Sequence, residues 1–390
     1  MRARVVVIGG GAIGASCFYH LVERGLSDVL LVERAALGHG STGRSAAVVE
    51  TQYLDRDRIA VCAWSMRLFR RLEREQGLPF AHHGYLRLGR TARDLAQFHA
   101  SVEMQRELGM TDAVVLDPPA IERRFPSLEV ADTAGGLFGP TDGFVDAVRY
   151  CELLAQLGQA RGGRVLQGAP VRGIRVRSGK VVAVELDGEV VECEHVVNAA
   201  GAWARAVGRL VGVDLPVDGY RRQLVNLESP TPFAAPVPMV IEYVPGMAEE
   251  GLYFRGDSPT RLIAGLHWEG YGEVEPPADP DRYREACDGD YTARVSERLG
   301  RRYRDAAELR VTGGWAGLYP LTLDAEPILG ELHEVTGFWN AVGGGGVGVQ
   351  TSPAIGAIVA DLVTTGATAV LGDLGPYRLE RFDPARAGDR

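Results

Sequence analysis

An apolar strand that runs directly into a glycine-rich turn, Arg4-Val-Val-Val-Ile-Gly-Gly-Gly-Ala-Ile-Gly14, restricts this chain more than any other feature. The spacing is Gly9-x-Gly11-x-x-Gly14. In that pattern the first glycine permits a tight turn and the second lets backbone approach a pyrophosphate. The third lets the next helix pack closely on its sheet. A helix expected over 14–24 then presents its free N–H groups, with Ala12 and Ile13 at the turn, to the phosphates. A second apolar strand, Val29-Leu-Leu-Val32, ends in Glu33, nineteen residues past Gly14, with Arg34 beside it. A carboxylate there takes a ribose 2′-hydroxyl and repels a 2′-phosphate, so the expected ligand is FAD or NAD rather than NADP.

The rest of the chain, 390 residues in all, leaves room for two domains. Hydrophobic residues make up 46%, enough for a large core, and the net charge of −9 argues against nucleic acid or an anionic membrane as partner. Cysteines 17, 62, 151, 193 and 287 are odd in number, scattered, and lack metal-ligand spacing. They fit reduced thiols in a cytoplasmic protein and give no metal site. The first apolar run is too short for a signal peptide, and no run reaches the ~18–20 apolar residues of a membrane span. Lys180 is the only lysine.

Residues 1–35 read as β-α-β, with helices expected over 55–76, 91–108, 146–161, 290–305 and 353–365. The stretch 164–200 reads as hairpins, and 215–268 alternates as antiparallel strands do. Residues 270–284 read as a surface loop. Three glycine turns of one kind, at 9–14, 201 and 343–348, lie far apart in sequence. One nucleotide domain holds all three only if a β-rich domain is inserted into it.

Beyond the first turn and Glu33, four segments carry a family likeness: Gly40-Ser-Thr-Gly-Arg-Ser-Ala-Ala47, Val196-Val-Asn-Ala-Ala-Gly-Ala-Trp203, Trp315-Ala-Gly-Leu-Tyr-Pro-Leu-Thr-Leu-Asp324 and Gly343-Gly-Gly-Gly-Val-Gly-Val-Gln-Thr-Ser352. With them the chain resembles the D-amino acid oxidase family of FAD-dependent oxidoreductases, over nearly its whole length. The resemblance implies an α/β fold. A discontinuous FAD-binding Rossmann-like domain would take residues 1–80, 140–215 and 310–390. An inserted, mainly antiparallel β-sheet substrate domain would take 81–139 and 216–309. It also implies oxidation of the C–N bond of an amino acid or N-methyl amino acid. Hydride passes to flavin N5, and water hydrolyses the resulting imine. The alternative is a catalytic β-like subunit of a heteromeric dehydrogenase that hands electrons to a partner, with a homo-oligomer also open. The electron acceptor is O2, or a quinone or dye. An NAD dehydrogenase has no use for the 41–47 and 343–351 loops.

Ser41, Thr42, Arg44 and Ser45 offer hydroxyls and a cation for phosphates, ribityl hydroxyls and the ring edge, with Ala46 and Ala47 closing that loop. The loop Gly344, Gly345, Gly346, Val347, Gly348, Val349, Gln350 and Thr351 can stabilise negative charge on reduced flavin. By resemblance, the backbone at Val171 meets adenine, and Ala200, Gly201 and Trp203 line the ADP half. Sarcosine oxidases attach FAD through a cysteine where Gly317 stands, and dimethylglycine dehydrogenases through a histidine where Arg44 stands. Non-covalent FAD is therefore expected, although His39 is close by.

On the substrate side, Arg221-Arg222 match the position of a carboxylate-gripping arginine, with Arg222 the expected clamp, and Tyr53 and Tyr253 match pocket tyrosines. Tyr319 replaces a second family arginine. Glu50 and Gln350 replace the arginine and lysine of sarcosine oxidases. Glu50 either pairs with Arg44 or an adjacent arginine, or favours a cationic substrate. His82-His83 and His267-Trp-Glu are candidate pocket linings.

Overall fold

A computed structural model describes residues 1–245, 247, 249–267 and 276–383. Trp268, Glu269 and residues 270–275 of the expected loop lie outside the described residues.

The organising element is a six-stranded sheet in the order 328–331, 338–342, 195–198, 5–8, 29–32, 164–166. Its strands are parallel except for the first neighbouring pair. Parallel strands are buried on both faces, which is why each reads as a continuous apolar run. Side-chain alternation divides them between two cores. Val5, Val7, Val29 and Leu31 face helices Ala12–Glu23, Ala147–Gln159 and Gly348–Thr365. Val6, Ile8, Leu30 and Val32 face Ile174, Val181, Val184 and Val191 of a separate three-stranded antiparallel sheet. The short strand Arg164–Leu166, expected in a hairpin, instead pairs in parallel with Val29–Val32.

Helices Ala12–Glu23 and Gly348–Thr365 cross closely because Gly356 has no side chain. A Cβ there would lie 2.6 Å from the backbone of Ser16. The second helix begins five residues earlier than its expected start at 353. Pro353 cannot donate to the carbonyl four residues back. The Ser352 hydroxyl takes that carbonyl, of Val349, at 2.8 Å, and the Ala354 N–H turns to the Ser65 hydroxyl at 3.3 Å. Local rewiring thus lets the helix run through the proline, and Gly348, Val349, Gln350 and Thr351 are helical.

An eight-stranded sheet runs 310–322, 217–228, 261–267, 251–256, 239–241, 85–89, 135–139, 114–116. Only 239–241 and 85–89 pair in parallel among neighbours. The strand Arg310–Thr322 pairs along its length with Val217–Glu228. A boundary at 310 would cut it from that partner. One face packs on helix Gly289–Arg302 through Leu227, Leu252, Phe254, Val295 and Leu299. The other face, with Tyr85, Leu224, Tyr253 and Ile263, meets Ala46 and Val48.

Candidate functional site

The parallel register Ile8–Val32–Asn198–Asn340 brings four strand ends to one edge. The three glycine turns come directly after those ends, so segments at 9–14, 199–203 and 343–348 converge there. Gly9 has φ +108°, and a Cβ on Gly14 would run into the Gly9 carbonyl. Both positions therefore demand glycine. The helix after them starts at Ala12 with Gly11 as an N-cap that has no side chain to give. At Gly11 a Cβ would meet only Thr42 Oγ1, at 3.1 Å, which leaves a cradle lined by first-turn N–H groups. A pyrophosphate fits this cradle. Thr42 Oγ1 already accepts the Ala12 N–H at 3.1 Å, tying the 41–47 loop to the helix end. Glu33 accepts the N–H of Gly10 at 2.6 Å and of Ala35 at 2.8 Å, which fixes its carboxylate at the sheet edge. Its backbone pairs with Leu166 and Ala169, so Val171 is close by.

Gly346 packs under the Tyr319 ring and Gly344 against Ile13. The 343–348 loop is therefore wedged between the first helix and the eight-stranded sheet. Across that gap the pairing register decides which side chains face the cleft. Arg222 opposes Gly317, Leu224 opposes Trp315, and Tyr220 opposes Tyr319. Paired residues share a face, so Arg222, Gly317 and Tyr319 line one side together. Arg222 lies 5.9 Å from the Tyr319 ring, and Tyr253 hydrogen-bonds Tyr319. Arg221 points to the other face and is tied to Asp288 at 2.6 Å and to the Arg284 carbonyl. With Ser41, Arg44, Ser45 and Ala46 opposite, these groups line one cleft between the loop and the sheet.

Gly317 and Arg44 are neighbours: a Cβ on Gly317 would lie 3.0 Å from that of Arg44. The two family attachment positions thus meet at one point, and neither carries a thiol or imidazole. Cys287 bonds the Leu224 and Trp315 carbonyls from the helix side of the sheet, and burial raises its thiol pKa. It is not a reactive thiolate.

Glu50 does not pair with Arg44. Arg44 binds Glu285 at 2.9 Å and the His39 carbonyl. The charge facing Glu50 is Arg87, on strand Tyr85–Gly89 and missed by sequence reasoning. Arg87 is buried and donates to the carbonyls of Tyr243 at 2.7 Å and Gln52 at 3.1 Å. Glu50 also has Tyr53 and Gln350 as hydrogen-bond partners, and Gln350 donates to the Tyr53 hydroxyl at 2.5 Å. A second buried carboxyl, Asp142, accepts from Gln52 Nε2 at 2.7 Å. Gln105 joins the same network through Thr51 and Gln52. Burial raises the pKa of both carboxyls, and for Asp142 the Glu50 charge adds to it. His267 lies in the field of Arg87 and Arg222, and burial with those cations lowers its pKa to about 3. It is held neutral.

A useful signal for Arg87 was present: Tyr85-Leu-Arg87 recurs as Tyr253-Phe-Arg255, and alternation puts each arginine on its tyrosine's face. Arg255 is likewise buried and holds the Ala46 carbonyl at 2.9 Å. His82 and His83 belong elsewhere. His82 binds Glu73 at 2.9 Å, and His83 lies against Phe144.

Asp142 gives a stability test. A carboxyl whose folded pKa is raised stabilises fully below the ordinary aspartate value, and that contribution is lost as pH rises through the folded pKa. Relative to wild type, Asp142→Asn is therefore expected to gain up to about 1 kcal/mol per pH unit above pH ~4. Paired urea titrations at several pH values check it. Parallel curves across that range would remove the buried proton from the account.

The family model described as FAD dependent oxidoreductase (DAO) matches residues 4–362. Mitochondrial dimethylglycine dehydrogenase of Rattus norvegicus is 28% identical over 406 residues, covering 99% of this chain but 45% of that protein. The chain thus spans less than half the length of that relative. Glycine oxidase of Geobacillus kaustophilus is 28% identical, with 97% of each chain covered. Among solved structures, L-proline dehydrogenase from P. horikoshii superposes with a TM-score of 0.84 at 25% identity, covering 100% of this chain and 98% of that one. Among the described residues no helix is long and apolar enough to cross a membrane.

Proposed function

Because the chain belongs to the DAO family of FAD dependent oxidoreductases, we propose that it oxidises the C–N bond of an amino acid or N-methyl amino acid with non-covalent FAD. The observation that carries this reading is the single sheet face bearing Arg222, Tyr253 and Tyr319, closed against the 41–47 loop and Gly346. When bound, FAD accepts the hydride and leaves an imine for water to hydrolyse.

The chain's own residues bind and orient. The glycine cradle and the helix N-terminus at Ala12 hold the pyrophosphate, Glu33 the ribose, and the backbone near Val171, Ala200, Gly201 and Trp203 the adenine half. Arg222 grips the substrate carboxylate as a fixed cation, with Tyr253 and Tyr319 as walls. Glu50, Tyr53 and Gln350 form a hydrogen-bonded chain from the 344–351 loop to a buried carboxyl. Anaerobic bleaching of the flavin against a panel of D-, L- and N-methyl amino acids tests the reading; no bleaching by any of them would sink it.

A second reading rests on length. Dimethylglycine dehydrogenase is more than twice as long as the region matched here. A partner subunit supplying the remainder would make this chain a β-like subunit, and co-purifying chains would show it. Five free cysteines suit a reducing cytoplasm.

Gly317 and Arg44 at the attachment positions lead to a simple expectation. Acid precipitation should leave FAD in a yellow supernatant above a colourless pellet. A yellow pellet contradicts it.

Lys180 is exposed at the start of strand Lys180–Leu186, in the three-stranded sheet. No lysine is therefore placed to assist O2 reduction, and the acceptor is expected to be a quinone or dye. The reduced flavin should reoxidise in air more slowly than the enzyme turns over with dye. Stopped-flow reoxidation at turnover speed would reverse this.

A further inference from the structure

Residues 276–288 contain no helix or sheet strand, yet they are tied to both ends of the proposed cofactor cleft. At the nucleotide end, Asp281 pairs with Arg34 at 2.8 Å and accepts the Trp203 indole N–H at 3.0 Å. Arg34 also stacks 4.8 Å from the Trp203 ring. Arg34 comes directly after Glu33, the residue expected at the ribose, and Trp203 closes the second glycine turn. At the other end Glu285 pairs with Arg44 of the 41–47 loop at 2.9 Å.

Backbone contacts and Arg221 anchor one side of this strap. The Ala278 N–H donates to the Gly219 carbonyl at 2.7 Å, and the Ala316 N–H donates to the Glu285 carbonyl at 2.6 Å. Arg221 grips Asp288 and the carbonyls of Arg284 and Ala286. These contacts hold the strap to the edge of the eight-stranded sheet. The Asp281 and Glu285 side chains, 53% and 61% exposed, reach the other way, to the cofactor loops. A dinucleotide laid from Glu33 to the 41–47 loop spans the same two attachment points.

We infer that residues 276–288 form a clasp over the cofactor cleft, and that Asp281 and Glu285 hold it closed and so set how fast FAD leaves. Neither touches the reacting atoms; both are positioning residues. The inference rests on the proposed placement of FAD. Both carboxylates are exposed, so each pair contributes modestly and is screened by salt. Their effect comes from acting at both ends of one strap.

The test uses purified holoprotein and the isosteric variants Asp281→Asn, Glu285→Gln and their combination. FAD release is monitored by recovery of flavin fluorescence on dilution, at about 20 and about 500 mM NaCl. Wild-type release should quicken with salt. At low salt each single variant should release FAD roughly 2- to 5-fold faster, and the double variant about 5- to 20-fold faster with little remaining salt dependence. The unfolding midpoint of the apoprotein should not move, because both side chains are exposed. Equal release and equal salt dependence in wild type and double variant would overturn the clasp. A matching fall in the apoprotein midpoint would also overturn it, by assigning the effect to the fold. Wild-type protein that carries no FAD would overturn the cofactor placement beneath it.

Discussion

Replacing Arg222 with methionine is expected to lower kcat/KM for a carboxylate substrate by roughly 30- to 1000-fold, with FAD content and thermal midpoint nearly unchanged. The substitution removes a charge-assisted contact worth about 2–4 kcal/mol in a partly enclosed site. Arg222 is the candidate because the pairing register puts it on the cleft face with Tyr319, whereas Arg221 is committed to Asp288 on the other. Glu50, Gln350 and Tyr319 occupy the remaining clamp positions and offer no cation. Tyr53→Phe and Tyr253→Phe should lose less, since neither removes a cation from the site. Wild-type turnover by Arg222→Met would turn attention to an amine recognised through Glu50, and Glu50→Gln would then be the informative variant.

The largest effect on stability is expected at Arg87. Arg87→Met strips the counter-charge from buried Glu50 and leaves the carbonyls of Gln52 and Tyr243 without their donor. Each buried carbonyl left without its donor costs about 1–3 kcal/mol, and a Glu50 charge with no cation facing it adds to that. Adding Glu50→Gln removes that stranded charge, so the double variant should recover part of the loss. The midpoints of urea unfolding for wild type, both single variants and the double variant give the coupling directly. Additive losses with no recovery would mean that Arg87 acts through its carbonyl contacts and not through Glu50.

What could be read from residue order alone was governed by local chemistry. The glycine spacing, Glu33 and the apolar runs each answer to neighbours within one strand or turn. The need for a discontinuous domain came from the separation of those turns, and the sheet order brings them to one edge. The charge partner of Glu50 was not legible, because it lies on a strand of the other sheet, and no spacing rule links positions 50 and 87. Asp142 escaped notice for the same reason: nothing in Gly139-Pro-Thr-Asp-Gly143 marks it, and only burial against Gln52 and Glu50 makes it unusual. Of the adjacent arginines 221 and 222, the expected clamp is Arg222, and the strand register places it on the cleft face and Arg221 on the other. Pro353 misplaced a helix start, since no periodicity shows that the Ser352 hydroxyl will take over its missing bond.

The convergence of the three glycine turns has a consequence for how such a chain is made. Strand Val5–Ile8 is synthesised early, yet it pairs with His195–Asn198, which in turn pairs with Phe338–Val342. Its helix packs on Gly348–Thr365. The flavin cradle therefore cannot exist on a nascent chain; synthesis must pass Gly348 before the last turn closes it. Until then the early apolar strands wait with open edges, the situation in which large, high-contact-order proteins aggregate or call on chaperones. Flavin can then be taken up only after that turn has been made. A cell short of the cofactor would accumulate a finished chain with an empty cradle, so holoprotein yield should track flavin supply during expression more closely than it tracks total synthesis.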